Sequence, residues 1–71
     1  NMLIMNAQPP PSPDLYAEIR AGFVLQRTTL NKWCIANGVG RQNARQALLG
    51  EWTGPKARQL IDTLIKASQP T

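Results

Sequence analysis

The sequence predicts an all-α domain: a compact bundle of four helices behind a flexible N-terminal arm. Three observations carry that expectation. Apolar residues recur at three- and four-residue spacing, the period of one helix face, in Leu15, Ile19 and Phe23 and again in Ala57, Leu60, Ile61, Leu64 and Ile65. Proline, glycine and hydroxyl residues punctuate the chain where helices start and stop. No stretch alternates apolar and polar residues for long, so no sheet is expected, and no internal repeat is visible. At 71 residues the chain holds one domain at most, with a core that must be packed tightly or shared with a second copy.

The elements follow in chain order. Residues 1–12 read as the arm, because Pro9, Pro10, Pro11 and Pro13 favour an extended polyproline conformation. Asn1 before Met2 reads as a cloning remnant, the natural start being Met2 or Met5. The helical domain is expected over residues 13–68. Ser12, Pro13 and Asp14 start its first helix: a capping hydroxyl, a ring that suits the first helical position, and an acid at the positive end of the dipole. That helix runs to about Leu25, with Tyr16 and Val24 beside its apolar stripe and Gly22 placed to let another helix approach. Thr28 or Thr29 caps a second helix from Leu30 to about Asn37, and Gly38 ends it. Gly40 precedes a third, Arg41 to about Leu49, and Gly50 follows it. Pro55 opens the fourth, which continues to about Ala67.

Composition excludes several functions. One cysteine forbids an internal disulfide, and the absence of histidine leaves no zinc set, so neither metal nor cofactor is expected. Cys34 has no base to activate it, and the carboxylates Asp14, Glu18, Glu51 and Asp62 are scattered over the chain. No enzyme and no small-molecule substrate are therefore expected. The apolar run Met2 to Met5 is far below the roughly 20 residues that span a bilayer, so no membrane partner is expected. A lone thiol fits a reducing cytoplasm. The net charge is +4, and between Arg20 and Arg58 the cations Arg20, Arg27, Lys32, Arg41, Arg45, Lys56 and Arg58 face one acid, Glu51. That balance favours a polyanion, nucleic acid before an anionic membrane surface.

The stretch TTLNKWCIANGVGRQNARQALLG, Thr28 to Gly50, carries the functional expectation. Two short helices divided by a glycine-containing turn describe a helix-turn-helix. Cys34 is the small residue that lets the helices approach, Gly38 turns the corner, and Val39 plugs it into the core; Leu30 and Trp33 anchor the first helix, and Ala44, Ala47 and Leu48 the second. The opposite face of the second helix bears Arg41, Gln42, Asn43, Arg45 and Gln46, and no acid. Arginine pairs with guanine O6 and N7, and glutamine or asparagine with adenine N6 and N7, so these side chains are expected to read base edges or adjacent phosphates. The amides near Thr28 and Thr29 are expected at a backbone phosphate. Lys32, Lys56 and Arg58 are expected as further phosphate contacts, and Trp52 either between the third and fourth helices or against the DNA sugar-phosphate.

The span Thr28 to Gly50 resembles the helix-turn-helix of the lambda repressor/Cro-like superfamily. The stretch LNKWCIANGVGRQNARQALLGEWTGP, Leu30 to Pro55, is similar to small helix-turn-helix proteins of Mu-like phages and prophages. The resemblance implies a sequence-specific regulator of transcription, bound to double-stranded DNA at the nucleoid of a bacterial cytoplasm. A domain this small is expected to bind as a homodimer on half-sites. The alternative expectation is a protein–protein or nonspecific DNA-binding module in phage assembly or packaging.

Overall fold

The computed structural model describes residues 8–69, and the four expected helices are its four elements: α1 (Pro13–Leu25), α2 (Leu30–Asn37), α3 (Arg41–Leu49) and α4 (Pro55–Ser68). No strand occurs among the described residues. Asn1 and the run Met2 to Met5 lie outside them. The fold is compact, with extents of 33 × 27 × 20 Å. None of its helices is long and apolar enough to cross a membrane.

The starts of α1 and α2 obey the capping chemistry written in the sequence. The Leu15 amide donates to Ser12 Oγ at 3.0 Å, with Pro13 and Asp14 in the first turn of α1. Thr29, rather than Thr28, caps α2: its hydroxyl accepts from the Lys32 amide at 3.0 Å. Each such cap satisfies one of the amides that a helix start leaves unpaired, and contributes about 1 kcal/mol.

The first three helices end by one device. A residue in the left-handed conformation turns the chain, and the amide after it bonds a carbonyl five residues back. Gly38 (φ 69°) does this for α2, with the Val39 amide on the Cys34 carbonyl at 2.9 Å. Gly50 (φ 85°) does it for α3, with the Glu51 amide on the Gln46 carbonyl at 2.8 Å. At the end of α1 the same place falls to Arg27 (φ 65°), with the Thr28 amide on the Phe23 carbonyl at 3.0 Å. No glycine marks that turn in the sequence. The backbone there bears the left-handed cost that a Cβ imposes, about 1–2 kcal/mol.

One core joins all four helices: Leu15, Ile19 and Phe23 from α1, Leu30 and Cys34 from α2, Ala44, Ala47 and Leu48 from α3, and Ala57, Ile61 and Leu64 from α4. Trp33, expected as a core residue, is half-buried, its ring centroid 6.0 Å from that of Phe23. Val24, expected beside the stripe of α1, is 61% exposed. At 100° per residue it lies about 140° around the helix from the stripe's centre, so no core can reach it. Cys34 is buried, and burial pushes its thiol pKa up, which keeps it protonated and unreactive at neutral pH.

α1 and α4 approach closely at Gly22. A Cβ there would collide with the Ser68 carbonyl oxygen and stand 3.0 Å from Ser68 Cβ. The Gln26 side-chain amide, donating to the Ala67 carbonyl at 2.8 Å, ties the two helix ends together. At the other end, the Ser12 amide donates to the Leu48 carbonyl at 2.9 Å, and the Gln8 side-chain amide to the Arg58 carbonyl at 3.1 Å. The described part of the proline segment therefore lies along the domain.

Two substitutions test this architecture in opposite directions. Gly22→Ala, which in an open helix adds up to about 1 kcal/mol of stability, is expected to lower the melting temperature instead, since backbone stands where the methyl would go. Arg27→Gly is expected to stabilise by about 1 kcal/mol, a rise of roughly 4–8 °C in a domain of this size. Thermal unfolding by circular dichroism reads both. A higher melting point for Gly22→Ala, or a lower one for Arg27→Gly, contradicts the account.

Candidate nucleic-acid interface

The corner between α2 and α3 is built from three residues with separate tasks. Gly38 supplies the left-handed turn. Val39, half-buried, packs against the core behind it. Gly40 returns the chain to an extended conformation (φ −67°, ψ 124°), and its carbonyl accepts the Ala44 amide at 3.0 Å to start α3. The Asn37 side-chain amide donates to the Trp33 carbonyl at 2.8 Å, satisfying one of the unpaired carbonyls at the end of α2.

α3 is locked by its inner face. Ala44, Ala47 and Leu48 are each 0% exposed, so the helix has one rotational setting about its axis. Two of these three residues are alanines, which brings the backbone of α3 close to its neighbours. The setting turns Arg41, Gln42, Asn43 and Arg45 to solvent and leaves Gln46 half-exposed. No acid lies on α3, and none lies in its first turn. Among the described residues the only ion pair joins Lys66 to Asp62 on α4 at 3.1 Å, so Arg41 and Arg45 have no carboxylate partner there.

The expected site residues separate into groups. Arg41 and Arg45 line a surface notch of about 350 Å³ together with Thr29 and Asn31 from the start of α2 and Tyr16 and Arg20 from α1. Gln42 lies exposed on the outer ridge of α3, opposite its buried face, with the half-buried Gln46 and Leu49 beside it and Asn43 on the edge away from the arginines. Thr28 stands apart, because its amide is already bonded to the Phe23 carbonyl where α1 ends. Lys32 is exposed on the first turn of α2, and its amide is taken by the Thr29 cap. Arg58 lines a different, larger groove of about 860 Å³, with Trp52, Ile61 and Pro9 to Pro11. Lys56 is exposed at the start of α4 and lines neither. Trp52 is half-buried and packs on the core beside the proline segment.

Arg20, Tyr16 and Asn31 are the notch residues not expected from the sequence. The Arg20 guanidinium carbon lies 5.4 Å from the centre of the Tyr16 ring, a cation–π distance that holds the arginine toward the notch. Their spacing of four residues puts them on one face of α1, a signal legible in the sequence. That this face abuts the start of α2 and the arginine edge of α3 is not.

No family model matches the chain, and no curated protein or solved structure matches it.

The corner has a direct test. A Cβ on Gly38 would meet nothing within 4 Å, so Gly38→Ala carries a backbone cost alone. About 1–2 kcal/mol of lost stability is expected, with helix content unchanged. An unaltered denaturation midpoint contradicts the left-handed turn.

Proposed function

We propose that this protein binds double-stranded DNA sequence-specifically, with α2 and α3 acting as a helix-turn-helix of the lambda repressor/Cro-like kind and α3 lying in the major groove. One observation carries the reading. The rotational setting of α3 exposes Arg41, Gln42, Asn43 and Arg45 together, beside the half-exposed Gln46, on a helix without acids that directly follows a tight corner. A recognition helix needs that combination: an apolar face fixed in the core, long donors toward base edges, and no carboxylate facing phosphate. The +4 net charge supplies the sequence-independent attraction. Transcriptional regulation in a phage or prophage, working in the bacterial cytoplasm, is the setting that the sequence resemblance favours. The small footprint suits a homodimer on half-sites about one helical turn apart.

A second reading has its own support. Val24, Leu25 and Ile35 are 61%, 75% and 73% exposed, large apolar side chains left open to solvent. Such surface suits a protein partner, and with it a module in phage assembly or packaging that meets DNA without sequence preference.

Site selection from random duplex, followed by salt-titrated shift assays, decides between the readings. The selected duplex is expected to bind at least about a thousandfold more tightly than random duplex. With roughly four cations at phosphates, log K is expected to fall against log salt with a slope of about −3 to −4. Equal affinity for both duplexes favours the second reading, and no salt-dependent binding to either removes DNA as the partner.

A further inference from the structure

We infer that the DNA face is divided in two: Arg20, Arg41 and Arg45 grip one backbone phosphate in the notch between α1, α2 and α3, while sequence is read by Gln42 and Gln46, with a preference for adenine. The inference rests on the DNA-binding reading and assigns separate tasks within it. Arg41 and Arg45, expected from the sequence among the base-reading residues, become positioning contacts.

Helix geometry supplies the first argument. With α3 set by Ala44, Ala47 and Leu48 at 0% exposure, Gln42 and Gln46 lie about 15–30° from the pole facing away from the core. Arg45 lies about 75° from that pole and Arg41 about 115°, both on the same edge. A helix inserted along a groove presents its outer pole to base edges and its edges to the flanking backbones. Each glutamine can pair with adenine N6 and N7 together, whereas guanine, which offers two acceptors there, suits arginine.

The notch supplies the second argument, independent of the wheel. Arg20 reaches the same cavity from α1, held over the Tyr16 ring at 5.4 Å. The cavity of about 350 Å³ has room for a tetrahedral oxyanion with several waters, at roughly 30 Å³ of liquid per water. Its lining contains no carboxylate, and none of its arginines is in an ion pair among the described residues. Guanidinium forks suit phosphate oxygens bidentately, and an anion between them offsets their mutual repulsion. A DNA phosphate is the source that fits, because the same edge of α3 carries the notch along the strand flanking the groove.

Four variants of the full chain test the division on selected and random duplexes. Arg20→Ala and Arg45→Ala are each expected to weaken both duplexes by a similar factor and to reduce the salt slope by less than about 1, because the two remaining arginines still meet the one phosphate. Gln42→Ala is expected to weaken the selected duplex about 5- to 150-fold and leave random duplex and slope unchanged. Asn31→Asp puts a carboxylate into the notch at a helix start, where an acid favours folding. It is expected to weaken both duplexes while circular dichroism shows the helices intact. Arg20→Ala without effect on random duplex, or Arg45→Ala acting on the selected duplex alone, overturns the inference, as does site selection that returns sites with no adenine at the positions sensitive to Gln42→Ala. If the unaltered chain binds no duplex, the parent reading fails. The notch is then judged by titrating inorganic phosphate and following the arginine side-chain NH signals by NMR. Shifts at Arg20 and Arg45 that vanish in Asn31→Asp support the anion site; their absence in the unaltered chain overturns it.

Discussion

Complete burial of Ala44, Ala47 and Leu48 is the constraint on which the rest of the molecule depends. Those side chains close the core against α1 and α4 and thereby decide which way α3 faces. Two of them are alanines, so their burial contributes less through transferred area than through the close backbone approach it permits. A larger side chain at either position would push α3 outward and rotate it, and the polar face would lose its present direction. The surface chemistry of this protein is in that sense a consequence of its packing.

The corner residues serve the same end. A left-handed Gly38 lets α2 stop within one residue, and Val39 fastens the turn to the core, so α3 starts where Gly40 puts it. The repetition of this ending at Gly38, Gly50 and Arg27 shows how a chain of 71 residues saves length: each turn satisfies its own carbonyls with the amides that follow it. The presence of arginine at one of the three places means that the surrounding structure sustains a conformation that the residue itself disfavours.

The charge distribution has a logic of its own. The acids Asp14 and Asp62 serve helices, one in the first turn of α1 and the other paired with Lys66. The arginines of α3 and Arg20 have no such local partner among the described residues, and they converge on one notch. Surface ion pairs contribute little to stability, so leaving these cations unpaired costs the fold little and leaves their charge available to a ligand.

Much of this was legible in the sequence, because it is local. Helix bounds follow from Ser12, Thr29, Gly38, Gly50 and Pro55, whose effects reach only one turn along the chain, and the buried faces of α3 and α4 follow from their spacing. The polar face of α3 was visible for the same reason: a helix that buries one set of positions must expose the others. What only the tertiary structure decided is whatever depends on two distant segments meeting. The cap at Arg27 was hidden because the left-handed turn there is imposed by the fold and announced by no glycine. Trp33 stayed half-buried because its contact with Phe23 of α1 leaves part of the ring open, which no spacing within α2 announces. Arg20 joined Arg41 and Arg45 although more than twenty residues separate them in the chain, since the packing of α1 against α3 set their distance and sequence spacing could not.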